Sequence, residues 1–142
     1  MAVLGILTSP DEILGKVSKP VEAFDERLHR LLDDMRETLI KAGGAGLAAV
    51  QVGYLMRVCV IWMGGKEYTE MINPEFKGIG NQRKGNEGCL SVPGVTVRMM
   101  RHREGVVSFQ DRYGNWTELQ LTNLQAVCVQ HEIDHMQGVL IA

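Results

Sequence analysis

The stretch Gln130-His131-Glu132-Ile133-Asp134-His135 decides how the rest of the chain is read. It lies in an apolar-periodic segment that opens at Asn123, and the spacing predicts a helix. On a helix, His131 and His135 project from one face and lie about 6 Å apart along the axis. Two imidazoles so placed can bind one metal ion, and the carboxylate of Glu132 can activate a water beside it. The same pair can equally be a satisfied polar patch, so the motif needs support from elsewhere in the chain.

Working outward, Asn123 is expected to cap this last helix, with Leu124, Val127, Ile133 and Met136 facing the core. A second helix is predicted from Asp25 to Ala42. There Leu28, Leu31, Leu32, Met35, Leu39 and Ile40 form one apolar stripe, Asp25 is the N-cap and Gly43-Gly44 is the stop. Arg57 to Met63 is a β-rich run that turns at Gly64-Gly65 into Lys66 to Ile72, and Asn73-Pro74 ends the pairing. The polar, glycine-punctuated stretch from Ile79 to Glu87 reads as a loop. Gly105 to Gln110 and Trp116 to Leu121 read as another hairpin, turning at Tyr113-Gly114-Asn115. The expected fold is α+β: antiparallel β-sheets packed around a C-terminal metal-binding helix, with an N-terminal amphipathic helix. No repeat or linker interrupts it, so residues 1–142 read as one domain.

Composition narrows the function classes. Apolar residues make up 45% of the chain, which suits a packed core rather than disorder. The net charge is −2 and the basic residues are scattered, which gives no electrostatic case for nucleic acid or a membrane surface. No apolar run approaches the roughly 20 residues of a membrane span. The N-terminus lacks a basic start and meets Pro10-Asp11-Glu12 too early for a signal peptide. Three cysteines cannot all pair with one another, so reduced thiols in a cytoplasm are expected.

Catalytic metal sites usually take three protein ligands and keep one position for water. Candidates for the third are Cys59, Cys89, Cys128, His29, His102 and several carboxylates. Cys128 shares the helical face of His131, but it is seven residues from His135, about 10.5 Å along the axis. A metal–sulfur bond of about 2.3 Å cannot close that gap, so Cys128 is expected to pack beside the site as a small apolar residue. Cys89, in Glu87-Gly88-Cys89-Leu90-Ser91, has a setting in which the backbone can approach another element closely. Taken alone, it is more simply a buried structural thiol. His29 and His102 sit among charged residues and read as solvated surface histidines. A further stretch, Gly44-Ala45-Gly46-Leu47-Ala48-Ala49-Val50-Gln51, is rich in small residues that let a peptide backbone or a strand come close.

The segments GAGLAAVQ, EGCLS and QHEIDH, in this order, resemble the three signature motifs of the peptide deformylases. Ala2-Val3-Leu4, Pro10-Asp11, Lys19-Pro20-Val21, Asp34-Met35 and Ile72-Asn73-Pro74 also fit that family, so the resemblance covers nearly the whole chain. It implies a hydrolase that releases formate from N-formylmethionyl peptides. It further implies that Cys89, His131 and His135 hold the metal, that Glu132 is general base and acid, and that Leu90 N–H and the Gln51 amide stabilise the oxyanion. Ala45, Gly46 and Gly88 would hydrogen-bond the extended peptide, while Leu124, Val127 and Cys128 would line the methionine pocket. The ion implied is one divalent metal, natively Fe²⁺, with Ni²⁺, Co²⁺ or Zn²⁺ also able to bind. A thiolate with two imidazoles suits each of them. A monomer in a bacterial cytoplasm is expected, or in the host bacterium if the chain is viral.

The chain departs from the family pattern in places. Ala45 and Gly85 stand where larger apolar residues are common, and both would enlarge the methionine pocket. Gly15 replaces a commonly basic residue, and Thr96 stands where some relatives carry an arginine. Typical bacterial members continue past Ala142 into a helix that helps ribosome docking, so ribosome association is expected to be weakened. A compact natural form, as from a virus of bacteria, and a trimmed chain are the two readings. Two rival functions are weighed. A metallopeptidase of the HExxH type would need a His or Glu ligand downstream, and none follows His135. A catalytically silent binding module would not need Gln51, Cys89 and Glu132 together.

Overall fold

A computed structural model describes residues 2–142 of the chain. Seven strands and two α-helices form it: α1 (Glu26–Ala42), β1 (Gly46–Ala48), β2 (Val58–Gly64), β3 (Glu67–Gly78), β4 (Gln82–Cys89), β5 (Val92–His102), β6 (Glu104–Gln110), β7 (Trp116–Thr122) and α2 (Asn123–Met136). The main sheet runs in the order β1-β2-β3-β6-β7, and β4-β5 form a separate two-stranded ribbon. Every pairing between these strands is antiparallel. This is the α+β fold with a C-terminal helix among antiparallel sheets.

Strand β2 shows why the sheet carries a helix on each face. Successive strand side chains point to opposite sides. Val58 and Val60 join the core beside Leu28, Leu32, Met35 and Leu39 of α1. Cys59 and Ile61 join the second core beside Ala126, Val129 and Met136 of α2. Both faces are covered, so the strand is apolar without alternation. Strand β6 alternates instead, burying Gly105, Val107 and Phe109 on one face.

Helix α1 begins where a cap predicts. The Asp25 carboxylate accepts from Leu28 N at 3.2 Å, and Gly43, left-handed at φ 67, ends the helix by donating to Leu39 O and Ile40 O. One stripe position differs from expectation. Ile40 is 50% exposed, and Thr38 holds a buried position instead. The Thr38 hydroxyl donates to Asp34 O at 2.7 Å and accepts from Leu4 N at 2.8 Å, so its polar group is satisfied and ties down the N-terminal segment.

One further expectation holds and is extended, and three are corrected. Asn73-Pro74 ends the pairing with β2, but β3 continues and passes to β6 after a register shift. Asn73 makes that bend possible: its φ is 51, and its amide bonds both Val21 backbone groups and Gln110. The predicted loop at 79–87 is largely strand β4. Its outward residues are polar because they face solvent, and its inward positions carry Gly85, Glu87 and Cys89 rather than a core stripe. At the start of α2 the capping position falls on Thr122, without a side-chain cap bond, and Asn123 is the first helical residue. Leu124 is 46% exposed rather than core, and it lines a cleft at the start of α2.

The two histidines set aside as surface residues are both half-buried. His29 Nε2 lies 2.7 Å from Arg112 O, and the His102 ring packs near Phe76, its Nδ1 buried without a partner.

The two kinds of position in α1 should differ sharply on truncation. Leu32→Ala is expected to cost about 2–5 kcal/mol in urea unfolding, and Ile40→Ala to stay within about 0.5 kcal/mol. Equal losses would contradict the buried stripe.

Candidate metal centre

Helix α2 presents His131 and His135 with ring centroids 5.0 Å apart. Cys89 reaches them from the last position of β4, just before the Leu90-Ser91 turn into β5. Its Sγ lies 3.3 Å from His135 Nε2, and one ligand atom from each of the three residues falls within 4.8 Å of the others. Cys128 is not in this group. Its thiol is buried and lies 4.0 Å from Glu132 Oε2.

Charged partners fix the ring that must face an ion. His131 Nδ1 donates to Glu87 Oε1 at 3.0 Å, which leaves Nε2 for a ligand role. Glu87 in turn accepts from Arg101 Nε at 2.9 Å and Nη2 at 3.1 Å, and Arg101 Nη1 donates to Asp134. Gln130 clamps the same helix to the end of β5 by accepting from His102 N at 3.0 Å and donating to His102 O at 2.7 Å.

The local electrostatics follow from burial and these bonds. Burial pushes the Glu132 carboxyl up, against attraction from His131 and Arg101, to about 7. Burial resists charge on His131, but hydrogen bonds to Cys89 and Glu87 hold its proton and raise it to about 10. His135 is pushed down to about 3, first by burial and then by repulsion from His131. For Glu87, burial is outweighed by His131 and Arg101, and its pKa falls to about 2. An ion held through His131 Nε2 would have to displace any proton there, so loading would be coupled to proton release. One thiol and two imidazoles, one of them oriented by a carboxylate, suit a borderline divalent ion, and these residues fit one.

A cleft of about 540 Å³ opens over this group. Ala45, Gly46, Gly88, Leu90, Gln51, Glu132 and Cys128 line it, with Leu124 and Val127 at the start of α2. Gly46 is needed for the close approach of β1 to α2: a Cβ there would lie 2.6 Å from Cys128 Sγ and 2.7 Å from Glu132 Oε2. Gln51 is fully buried. Its Oε1 accepts from Ala48 N at 2.9 Å, and its Nε2 donates to Ser91 Oγ at 3.0 Å and points at Cys89 Sγ, 3.8 Å away. A wider hollow of about 900 Å³ lies beside the start of α1, but it is lined by no histidine or cysteine.

The sequence reading gave no part to Glu87, Ser91, Arg101, Gln130 or Asp134. Four of them lie inside the quoted motifs, where their neighbours drew the attention. Arg101 carried no local signal at all, because its partners are 14 and 33 residues away.

The family model for polypeptide deformylase matches residues 3–142. The chain belongs to this family. It is 49% identical to the peptide deformylase of Caldicellulosiruptor bescii, over 99% of this chain and 84% of that protein. Among solved structures, the peptide deformylase from Legionella pneumophila superposes with a TM-score of 0.93 at 44% identity, covering 97% of this chain and 83% of that one. The Ehrlichia chaffeensis peptide deformylase in complex with actinonin gives 0.94 at 37% identity, covering 99% and 87%. The chain is thus a peptide deformylase, a hydrolase that removes the N-formyl group from nascent peptides. The family is one of metalloenzymes, and this chain carries a Cys/His/His group able to hold an ion.

The bond from His131 to Glu87 predicts an effect on the metal rather than on the fold alone. Glu87→Gln is expected to weaken metal affinity about 10–100-fold, read by competition with a chelator. Unchanged affinity would remove Glu87 as the residue that orients His131.

Proposed function

We propose that this deformylase holds one divalent ion through Cys89, His131 and His135, natively Fe²⁺, and acts on N-formylmethionyl peptides in a bacterial cytoplasm. The observation that carries this reading is the convergence of three ligand atoms within 4.8 Å beside the buried Glu132 carboxylate in an open cleft. When bound, such an ion supplies Lewis acidity at the formyl oxygen and acidifies a water next to it.

The chain's own residues do the rest. Glu132 Oε1 is buried and has no hydrogen-bond partner within the protein, which leaves an acceptor for the proton of the attacking water. A carboxyl poised near 7 can take that proton and then give it to the leaving amine, releasing formate. Gln51 has its carbonyl fixed on Ala48, which turns its amide toward Cys89 and the cleft. That amide and Leu90 N–H, at the turn after Cys89, are the donors assigned to the developing oxyanion. The backbones of Ala45, Gly46 and Gly88 border the cleft and would pair with an extended peptide. Leu124, Val127 and Cys128 supply the apolar wall for the first side chain. The related Ehrlichia enzyme binds actinonin, which is consistent with a cleft that takes a peptide-like ligand.

Anaerobically prepared protein loaded with Fe²⁺ or Ni²⁺ is expected to release formate from a formyl-Met peptide, and absence of turnover would end this reading. Glu132→Gln should keep the metal while lowering kcat about 10²–10⁴-fold. A near-normal rate would exclude it as the base. Cys89→Ala should abolish stoichiometric metal binding and Cys128→Ala should not, as read by metal analysis.

A further inference from the structure

We propose that Arg103 is a specificity-determining residue, a hydrogen-bond-donating wall of the first-side-chain pocket that favours acceptor-bearing side chains, methionine sulfoxide above all. The assignment rests on the deformylase reading of the cleft.

Strand β4 sends Gly85, Glu87 and Cys89 to one face and exposes Lys84, Asn86 and Gly88 on the other. Cys89 and Glu87 serve the metal group from that inner face. At Gly85 the strand has no side chain to offer, and the space is not open. A Cβ on Gly85 would overlap Arg103 Nη2 and lie 3.2 Å from Cζ, so a guanidinium from beyond the end of β5 occupies the missing side chain's place. Arg103 lines the same cleft as Leu124, Val127 and Cys128. The expected consequence of a glycine here, a larger apolar pocket, is therefore replaced by a polar wall.

The guanidinium has donors to spare. Arg101, two residues earlier, commits Nε, Nη1 and Nη2 to Glu87 and Asp134. Among the described residues, Arg103 has no carboxylate within ion-pair distance, and its side chain makes one long bond, from Nη2 to Lys84 O at 3.4 Å. Arginine carries five N–H donors, and a methionine thioether is a weak acceptor for them. Oxidation turns that sulfur into a polar sulfoxide, which a purely apolar pocket would exclude. Ala45 also borders the cleft and leaves room for the added oxygen.

The test compares kcat/KM of the metal-loaded enzyme on three peptides that differ only in the first residue: formyl-methionine, formyl-methionine sulfoxide and formyl-norleucine. The sulfoxide-to-norleucine ratio is expected to fall about tenfold or more in Arg103→Leu, the loss of one charge-assisted hydrogen bond, and Arg103→Lys should keep part of it. Gly85→Ala should reproduce the fall without altering Arg103, because its Cβ displaces only the tip of a flexible side chain. A ratio that stays within about twofold of wild type in both Arg103→Leu and Gly85→Ala, or a wild-type enzyme that processes norleucine and rejects the sulfoxide, overturns the assignment while leaving the deformylase reading intact. Failure on all three peptides would instead remove that reading, and this one with it.

Discussion

A two-stranded ribbon that shares no hydrogen-bond ladder with the main sheet has to hold one thiol within a few ångströms of two imidazoles. Cys89 and His135 are 46 residues apart in the chain, and nothing local brings them together. The buried guanidinium of Arg101 does most of this work. Its side chain is only 7% exposed, and it bridges Glu87 on the ribbon to Asp134 on the helix. Glu87 then accepts from His131, so one chain of charge-assisted bonds runs from β5 through β4 to α2. Such an arrangement is costly to desolvate and is weak evidence for stability. What it supplies is registration: the bidentate pair locks Arg101 to Glu87 within the ribbon, and each of the two then makes one bond to the helix, to Asp134 and to His131.

The second constraint is the close approach of β1 to α2. Gly46 removes the side chain that would strike Glu132, and the carboxylate is thereby buried beside the histidines rather than left in water. Burial raises its proton affinity toward neutrality, which is the range a shuttling base needs. One missing Cβ thus links a packing requirement to a protonation state.

These two constraints separate what was legible in the chain from what was not. Periodicity located α1 and both hairpins of the main sheet, because those elements bury an apolar stripe or face. It missed β4, whose inward positions hold a glycine, a carboxylate and a thiol in place of apolar residues. It also misplaced Ile40 and Leu124, since a helix pattern does not say how far along its length partners extend. The residues that would touch an ion stood out as spaced motifs. Those that aim them, Arg101 above all, depend on contacts 14 to 33 residues away and leave no mark on local pattern. Gly85 looked like a widened pocket because its neighbour in space, Arg103, comes from just beyond the end of the partner strand.

The same electrostatics bear on which cysteine can serve as ligand. Cys59 on β2 and Cys128 on α2 are both buried in the same core. For each thiol, burial first and the Glu132 carboxylate second raise the pKa well above the ordinary value. A thiol so held stays protonated at neutral pH, and a protonated thiol is a poor metal ligand. Cys89 differs in position, half-buried at the rim of the cleft and reached by the Gln51 amide. Distance along the helix had already set Cys128 apart from His135. Burial supplies a second, independent reason, and it applies to Cys59 as well. Glu132 therefore acts on the site twice, as the group assigned to move the proton and as a charge that adds to burial in raising the neighbouring thiols.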